Sequence, residues 1–319
     1  MPPHVRTVRG PLDPTTAAAV RTLAHAAHEH DGVEALGEQT LLDLTADEDA
    51  HLHLLLGRDE GGGTADDGAL VGYAALDLTG DPASAELVVA PSRRLAGLGR
   101  ALLEEVHAAA ARSGRAAPAV WAHGDLDAAR ALATAAGLTV HRELWRMGRD
   151  LRADEPEPEV PAGTTVRSFV PGRDEEAVVA TNAAAFAWHP EQGRMTVADV
   201  RARAAEPWFD PADLLLLERD GALLGFLWLK VERTSDGRAA DDGELYVLAV
   251  DPGTQGQGLG RYLAHLAPPR LAARGARRIV LYTEATNTAA VGLYRAMGLV
   301  TERSDVQYRR SPADDTMQP

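Results

Sequence analysis

Two stretches of this chain, RLAGLGR at 94–100 and QGQGLGR at 255–261, share the pattern (Arg/Gln)-x-x-Gly-x-Gly. They lie 161 positions apart, and the same offset carries Leu87 to Leu248. A common offset held over about fifty positions in each half indicates an internal duplication. Each copy follows an apolar, strand-like run and precedes an amphipathic helical stretch, so the sequence predicts two related units of strands and helices.

The chain length sets the number of domains. A length of 319 residues fits two domains of about 150 residues each. We predict a first domain over 1–152, an acidic, proline-spaced linker over 153–162, a second domain over 163–310 and a polar tail over 311–319. In each domain the order of strand-like and helix-like segments predicts an α/β (α+β) fold, with a mixed, mostly antiparallel sheet flanked by helices.

The segments around the second glycine loop carry the local predictions that matter most. The apolar run 244–250 predicts the strand before the loop, and 233–243 reads as a polar connection. The helix after the loop is predicted over 260–267. We expect Pro268 and Pro269 to end or kink it, because proline lacks an amide donor and clashes with the preceding turn.

The composition excludes several classes of protein. The chain contains no cysteine, which rules out disulfides, thiolate metal sites and a cysteine nucleophile and favours the cytoplasm. Its net charge of −15 argues against nonspecific nucleic-acid binding, which needs a basic face. No apolar run approaches the roughly 18 residues of a membrane span, and the N-terminus lacks a secretory pattern. We therefore expect a cytoplasmic protein that binds neither nucleic acid nor membrane.

The glycine loop has the properties of an anion site. It joins a strand to a helix start, where unpaired amides and the helix dipole favour a negative group. Gly258 and Gly260 leave room for a pyrophosphate, and Gln255 and Arg261 can add donors at the rim. The pattern is neither a Walker loop nor the dinucleotide fingerprint. A tight turn without any ligand is the competing interpretation of the loop alone.

Three blocks in the second half resemble the GNAT family of N-acetyltransferases: LAVDP at 248–252, QGQGLG at 255–260 and NTAAVGLYRAMGL at 287–299. The resemblance implies that the loop holds the pyrophosphate of acetyl-CoA, as a co-substrate, and that the preceding strand separates from the next one. It implies that a strand amide near Leu248 polarises the thioester carbonyl. It also implies that Tyr294 protonates the leaving thiolate, whereas without the resemblance Tyr294 reads as a core aromatic.

The resemblance extends to a set of backbone and side-chain contacts with acetyl-CoA in both halves. The contacts implied in the second half are Leu248, Ala249, Val250, Gln255, Gly256, Gln257, Gly258, Leu259, Gly260, Arg261, Asn287, Thr288, Ala289, Ala290, Val291 and Gly292. The contacts implied in the first half are Leu87, Val88, Val89, Leu95, Ala96, Gly97, Leu98, Gly99 and Arg100. No metal is implied.

The first half has diverged at the positions that matter for chemistry. The residues that lie 161 positions before Tyr294 and Glu244 are Ala133 and Ala83. We therefore expect the second half to carry out the reaction. The first half either binds acetyl-CoA without reacting or keeps the loop as an inherited turn. We favour binding without reaction, because Gly97, Gly99 and Arg94 are retained, although the residues at 95–96 are less basic than is usual in the family.

Glu244 is the candidate general base. It opens the strand that leads to the glycine loop, so its carboxylate can face the thioester end and take a proton from an acceptor ammonium, directly or through water. A solvated acid at a strand end is the alternative interpretation of Glu244. With Tyr294 as the candidate acid, one half of the chain holds both catalytic groups.

Further motifs resemble a tandem branch of the GNAT family that acetylates the cysteinyl amine of a cysteine–glucosamine–inositol conjugate. They are GEQ at 37–39, HPEQG at 189–193, GFLWLK at 225–230 and GELYVL at 243–248. This resemblance covers about residues 1–310. The acceptor contacts that it implies are Glu38, Glu191, Lys230, Glu244 and Tyr282. Such carboxylates and hydrogen-bonding groups suit a polyhydroxylated amine.

The leading hypothesis, which the resemblance implies, is an acetyl-CoA-dependent N-acetyltransferase that acts on the cysteinyl amine of the cysteine–glucosamine–inositol conjugate. Two alternatives stay open: a tandem enzyme acting on another amine, such as an aminoglycoside or a protein N-terminus, and a noncatalytic acyl-CoA-binding sensor. Glu244 and Tyr294 argue against the sensor, because binding alone requires neither group. The oligomeric state is not indicated by the sequence, and a monomer is the simplest expectation.

Overall fold

The structure, a computed structural model, describes residues 4–46, 49–57, 70–188, 192–234 and 237–310. The chain divides into two compact units. The first contains Met1–Glu143 with Ser304–Pro319, and the second contains Leu144–Arg303. No helix in the described ranges is long and apolar enough to cross a membrane.

The described residues of the first part of the chain form six strands and four α-helices. The strands are β1 (Val5–Arg9), β2 (His51–Gly57), β3 (Leu70–Asp77), β4 (Ser84–Val89), β5 (Ala119–Ala122) and β6 (Leu138–Asp150). The helices are α1 (Pro14–Asp31), α2 (Glu38–Asp43), α3 (Leu98–Arg112) and α4 (Asp127–Ala135).

The remaining part repeats this plan. Its strands are β7 (Thr165–Ser168), β8 (Leu214–Arg219), β9 (Ala222–Arg233), β10 (Ala239–Val250), β11 (Arg278–Glu284) and β12 (Val300–Arg310). Its helices are α5 (Glu175–Ala185), α6 (Val197–Ala204), α7 (Leu259–Ala273) and α8 (Thr288–Ala296).

Each unit has one mixed sheet. The strand order is β1-β2-β3-β4-β5-β12 in the first unit and β6-β11-β10-β9-β8-β7 in the second. One pair in each sheet is parallel, β4 with β5 and β10 with β11, and the other pairs with a described register are antiparallel. The predicted fold class, two mixed sheets with flanking helices, is confirmed.

The last strand of each sheet comes from the opposite half of the chain. β6 follows α4, yet its residues 144–150 pair with β11 in the second unit. β12 follows α8, yet its residues 306–308 pair with β5 in the first unit. The predicted boundaries follow chain order and therefore differ from the compact units, because strand pairing decides which sheet a strand completes.

Both faces of each sheet are covered by helices. In the first unit, Val20 of α1 packs on one face with Tyr73, and Leu102 of α3 packs on the other with Leu54. In the second unit, α7 covers one face, and α5 and α6 cover the other around an aromatic cluster. Such two-sided cover explains why the central strands read as nearly continuous apolar runs.

Two local predictions around the second glycine loop are wrong. The helix α7 does not end before Pro268 and Pro269 but runs to Ala273. Leu266, Ala267 and Leu271 are buried in the core, so packing holds the helix even though two amide donors are missing. The segment 239–243, predicted as part of a polar loop, is the beginning of β10 and pairs with β9.

Candidate active site

The second glycine loop has the backbone conformation of an anion cradle. Gly256 and Gly258 adopt positive φ of 81° and 76°, which glycine tolerates best. Gly258 is the N-cap of α7, and no side chain in the described ranges caps this helix start. A Cβ at Gly258 would meet no atom within 4 Å. The first amides of α7 therefore face open space, the arrangement that favours a phosphate group.

The strand that leads to this loop has one open edge. β10 pairs in parallel with β11 only over 242–245, whereas its pairing with β9 continues to Val250. The amide of Asp251 donates to the carbonyl of Leu224 at the end of the β9 side. Because successive amides of a strand point to alternate edges, those of Leu248 and Val250 point to the open edge. The predicted separation of the two strands is thus present.

A register shift decides which side chains share a face of this sheet. The pairing of β10 with β9 slips between Leu245 and Val247. Leu245 packs in the core beneath α7, whereas Tyr246 and Val247 both pack on the side of α5 and α6. Such an inserted residue is a β-bulge, which redirects side chains next to a site.

Glu244 and Lys230 lie directly opposite each other across β10 and β9. Opposed residues of an antiparallel pair project from the same face of a sheet. The Lys230 ammonium lies 5.1 Å from the ring centre of Trp208 and 5.7 Å from that of Tyr246, within cation–π range. It also lies 3.2 Å from the Glu232 carboxylate. The structure therefore brings together two of the predicted acceptor contacts.

Trp208 and Tyr246 are part of this site, and the sequence analysis missed them. The Tyr246 hydroxyl accepts a hydrogen bond of 2.6 Å from the Arg203 guanidinium. The rings of Trp208 and Tyr246 meet edge to face, 5.4 Å apart. Tyr246 stands within the motif that holds Glu244, so its position beside the candidate base was a usable signal. Trp208 lies in a loop far along the chain, and no local pattern indicates it.

Tyr282 projects from the same face as Glu244. Glu244 pairs with Val280 of β11, and Tyr282 follows two positions later, so the alternation of a strand returns it to that face. Its side chain is 36% exposed, and its hydroxyl accepts a hydrogen bond of 3.0 Å from Arg303. Tyr282, Glu244 and Lys230 thus belong to one polar face of three adjacent strands.

Tyr294 lies on the opposite side of the sheet. It sits on α8, is 7% exposed and packs in the core that α7 covers. Burial raises the pKa of its hydroxyl to about 12, so the phenol keeps its proton at neutral pH. At the start of α8, the Asn287 side chain accepts a hydrogen bond of 3.2 Å from the Ala290 amide and so caps the helix.

The first glycine loop repeats the geometry of the second. Gly97, the N-cap of α3, has φ of 80°, close to that of Gly258. Leu95 takes the place of Gly256, adopts φ of 62° and is fully exposed. The pairing of β4 with β5 also stops early, at Glu86. The backbone conformation of the second loop is therefore retained in the first unit.

A pocket of about 420 Å³ adjoins the first loop, within the first unit. Leu87, Gly97 and Ala133 are among its lining residues. Arg94, which also lines it, binds the Asp31 carboxylate through two hydrogen bonds of 2.7 and 2.6 Å. That pairing holds the pKa of Asp31 below its ordinary value. The arginine at this rim is thus already neutralised by an acid of its own unit.

The sequence offset aligns Glu244 with Ala83, but the pairing of the strands shows that this alignment is wrong. In strand register, Glu244 opposes Lys230, and Ser84 opposes Asp77 at the matching place in the first unit. The bulge in β10 shifts the alignment by one residue, and Ala83 is buried in the core with α3. β4 does carry a carboxylate, Glu86, but this group is enclosed.

The remaining predicted contacts lie elsewhere. Glu38 is the first residue of α2 in the first unit. Glu191 lies outside the described residues. Among the described residues, no group of three or more histidine or acidic side chains is arranged to hold a metal ion.

A glycine loop at a helix start, beside a strand that parts from its parallel neighbour, defines the acyl-CoA cradle of an N-acetyltransferase, here built twice. The comparisons agree with this class. The model of the acetyltransferase (GNAT) family matches residues 182–299, and that of the acetyltransferase (GNAT) domain matches residues 62–139. The predicted enzyme class is confirmed.

Curated relatives narrow the class. The chain is 49% identical to the mycothiol acetyltransferase of Cellulomonas flavigena, over 98% of this chain and 90% of that protein. It is 47% identical to that of Thermobispora bispora, over 93% and 97% of the two chains. The relative of the same name from Streptomyces coelicolor is 46% identical, over 93% of each chain. The chain therefore belongs to the mycothiol acetyltransferases of the GNAT family, as the sequence motifs predicted.

Solved structures agree on the fold. A GCN5-related N-acetyltransferase from Sphaerobacter thermophilus superposes with a TM-score of 0.64 at 25% identity, over 96% of this chain and 95% of that chain. A tandem GNAT protein from the clavulanic acid biosynthesis pathway gives a TM-score of 0.69 at 19% identity, over 97% and 99% of the two chains. Both matches extend over nearly the whole chain and so include both units.

Proposed function

We propose that this enzyme transfers the acetyl group of acetyl-CoA to the cysteinyl amine of the cysteine–glucosamine–inositol conjugate, which completes mycothiol. The observation that carries the proposal is the second unit, where the cradle, the open strand edge and the polar face of Glu244, Lys230 and Tyr282 occur together. The names of the relatives support the acceptor. The enzyme is proposed to act in the cytoplasm, on small molecules and as a monomer.

The second cradle fits the donor. The open space at Gly258 and the uncapped start of α7 suit a pyrophosphate, and the open edge of β10 offers backbone groups to the pantetheine arm. The Leu248 amide points to that edge, where it can donate to the thioester carbonyl oxygen. An oxyanion donor of this kind contributes about 10²–10³ in rate. The proposed contacts of the cradle are those predicted for 248–250, 255–261 and 287–292.

Glu244 is proposed as the general base. An ammonium must lose a proton before it can attack a thioester, and a carboxylate in reach of the amine can accept that proton directly or through water. Lys230 lies opposite Glu244 in the strand pairing, with its ammonium against the rings of Trp208 and Tyr246, and so adds a fixed positive charge to the same face of the sheet. The same side chains are proposed, together with Tyr282, Glu38 and Glu191, to contact the acceptor.

Tyr294 is proposed as the general acid. Its buried hydroxyl stays protonated at neutral pH because burial raises its pKa to about 12. When the carbon–sulfur bond of the tetrahedral intermediate breaks, the Tyr294 phenol is proposed to donate its proton to the leaving sulfur, so that CoA departs as a thiol. The phenolate that forms must regain a proton before the next turnover.

The first cradle is proposed to hold a second acetyl-CoA that does not react. The pocket beside it and the retained loop support binding at 87–89 and 95–100. Ala133 stands in place of the tyrosine, and the β4 carboxylate is enclosed, so neither proton can be moved there.

The test is product analysis with matched acceptors. The purified enzyme is incubated with acetyl-CoA and the cysteinyl conjugate, its analogue without the amine, an aminoglycoside or a peptide with a free N-terminus. Mass spectrometry should find one added acetyl group on the conjugate alone, and a thiol assay should show that its sulfur stays free. Acetylation of only another amine would refute the acceptor. Acetyl-CoA binding without any product would support the sensor.

A further inference from the structure

The first unit contains a buried charged network that the proposed reaction does not use. The His123 imidazole lies between two carboxylates, with Nε2 3.3 Å from Glu86 Oε1 and Nδ1 3.4 Å from Asp305 Oδ2. The three side chains are 16%, 12% and 5% exposed. The Trp121 ring stacks on the imidazole, with the two planes 9° apart. Three segments of the first unit, β4, the turn after β5, and β12, meet at this histidine.

Each carboxylate divides its two oxygens between the histidine and a backbone amide. Glu86 Oε2 accepts a hydrogen bond of 2.7 Å from the Gly37 amide. Asp305 Oδ1 accepts one of 2.7 Å from the Gly124 amide. The two carboxylates raise the pKa of His123 to about 10 against its burial, and His123 in turn lowers the pKa of Glu86. At neutral pH the network is therefore two anions joined by an imidazolium.

The network contacts α2 through Gly37, which lies next to Glu38, a proposed acceptor contact. Gly37 is the N-cap of α2, and Glu38 is the first residue of that helix. A Cβ at position 37 would lie 2.9 Å from Glu86 Oε1, so the carboxylate rests against the glycine. The helix α2 has six residues, and none of them is buried. Leu36 and Leu44, which flank α2, are buried in the core, and the hydrogen bond from Gly37 to Glu86 adds a polar restraint at the helix start.

We propose that His123 and Glu86 are positioning residues for the acceptor, because they fix the Gly37 amide and thereby aim Glu38. The proposal rests on the proposed contact of Glu38 with the acceptor. If His123 is made neutral, Glu86 loses the buried imidazolium that faces it, which favours uptake of a proton or a turn of the carboxylate toward water. Both outcomes release Gly37, so Glu38 loses its fixed start.

The expected signature is a selective loss of acceptor binding. Leu248, Glu244 and Tyr294 belong to the second unit, whereas the network belongs to the first. His123→Gln should therefore raise the KM for the acceptor by about tenfold, with kcat and the KM for acetyl-CoA changed less than about twofold. A general loss of structure would lower kcat and acetyl-CoA binding as well.

The decisive experiment is a double-mutant cycle between His123→Gln and Glu38→Gln. If Glu38→Gln raises the acceptor KM and His123→Gln adds nothing further in the double variant, both residues act through one contact, as proposed. Additive effects would show that His123 acts elsewhere and would overturn the proposal. If Glu38→Gln leaves the acceptor KM unchanged, the contact of Glu38 itself is refuted, and the positioning role fails with it.

A second variant, Gly37→Ala, disturbs the contact between Gly37 and Glu86 from the side of the glycine. Gly37 has φ of −69°, so its backbone conformation suits alanine, and the added Cβ would lie 2.9 Å from Glu86 Oε1. Gly37→Ala pushes on Glu86 Oε1 but changes no charge, and it should raise the acceptor KM in the same selective way. If His123→Gln fails to fold, Gly37→Ala still tests the proposal, and an unchanged acceptor KM in this variant would overturn it.

Discussion

Glu86 and Glu244 are carboxylates on β4 and β10, the strands that lead to the two glycine loops, and they have different environments. Glu86 is enclosed, with one oxygen on His123 and the other on the Gly37 amide. Glu244 projects from an open polar face, opposite Lys230 and beside Tyr246. The glycine loops of both units keep the same conformation. The duplicated scaffold therefore preserves the conformation of the glycine loop, while the two carboxylates, which do not occupy equivalent places in the two sheets, have different surroundings.

The difference depends on one inserted residue. β10 has a bulge at Tyr246, and the register of β4 with β3 runs without a shift. The bulge turns Tyr246 and Val247 to the same side of the sheet, so the aromatic ring stands beside Lys230. β4 has no inserted residue in its pairing with β3, and the Glu86 side chain faces His123. A bulge next to a site is a means of redirecting side chains.

The largest expected effect separates the two cradles. Gly258→Val should abolish turnover, because a side chain in the open space before α7 obstructs the amides that face the pyrophosphate. Gly97→Val is the matched control. The two glycines have nearly the same positive φ and the same open surroundings, so backbone strain is similar in both variants. Steady-state kinetics on both proteins should show most activity retained in Gly97→Val.

Calorimetric titration with acetyl-CoA sharpens the same comparison. Two sites in the wild type and one in each variant would support a retained, unreactive first site. One site that disappears only in Gly258→Val would mean that the first cradle is an inherited turn. Loss of turnover in a folded Gly97→Val protein would contradict the assignment of the chemistry to the second unit.

The next effect compares the two carboxylates. Glu244→Gln should lower kcat by roughly 10²–10⁴-fold, the usual contribution of a general base, with part of the loss recovered at high pH where the amine is already neutral. Glu86→Gln should leave kcat nearly intact and raise the acceptor KM. The measurement is kcat and KM between pH 6 and 10. A Glu244→Gln protein with nearly wild-type turnover would remove Glu244 from the base role.

A smaller effect is expected at Tyr294. Tyr294→Phe removes the proton donor but keeps the ring that fills the core, so it should slow turnover by roughly tenfold to a hundredfold. Acetyl-CoA affinity should change little. Rapid-quench kinetics can locate the loss in the step that releases CoA. Unchanged turnover across the pH range would mean that Tyr294 only packs, as its position in the core also allows.

The smallest effect concerns stability and pH in the first unit. The pKa of His123 is raised from 6.5 to about 10, so its protonation contributes stability that is complete below pH 6.5 and is lost as the pH rises through about 10. Between these values the free energy of unfolding should fall by up to about 1.4 kcal/mol per pH unit. Urea denaturation of wild type and His123→Gln at several pH values tests this. Parallel curves would contradict it.

The sequence was sufficient for much of the fold and for the second cradle. The shared offset predicted two related units, and the glycine pattern located both positive-φ turns. These features depend on a few local residue types, which a single sequence displays. Lys230, Glu244 and Tyr282 were also predicted, through motifs, and the structure puts them on one face of the sheet.

The features that the sequence did not predict depend on contacts between distant segments. β6 and β12 could each pair with the sheet of their own half or with the sheet of the other half. The local sequence pattern of each strand is the same in the two cases, so it does not show which edge the strand joins. The bulge at Tyr246 is visible only in the pairing with β9. The continuation of α7 past two prolines depends on the packing of Leu271. In each case tertiary packing outweighs a local preference.

The exchange of the last strands also governs the order in which the protein can be completed during synthesis. β5 ends at Ala122, and the residues of β12 that pair with it lie at 306–308, near the end of the chain. At about 5–20 residues per second, roughly 10–40 s pass between the two. During that time one edge of the first sheet stays without its partner strand and is open to pairing with another chain. The ribosome must therefore nearly finish the chain before its first unit is closed.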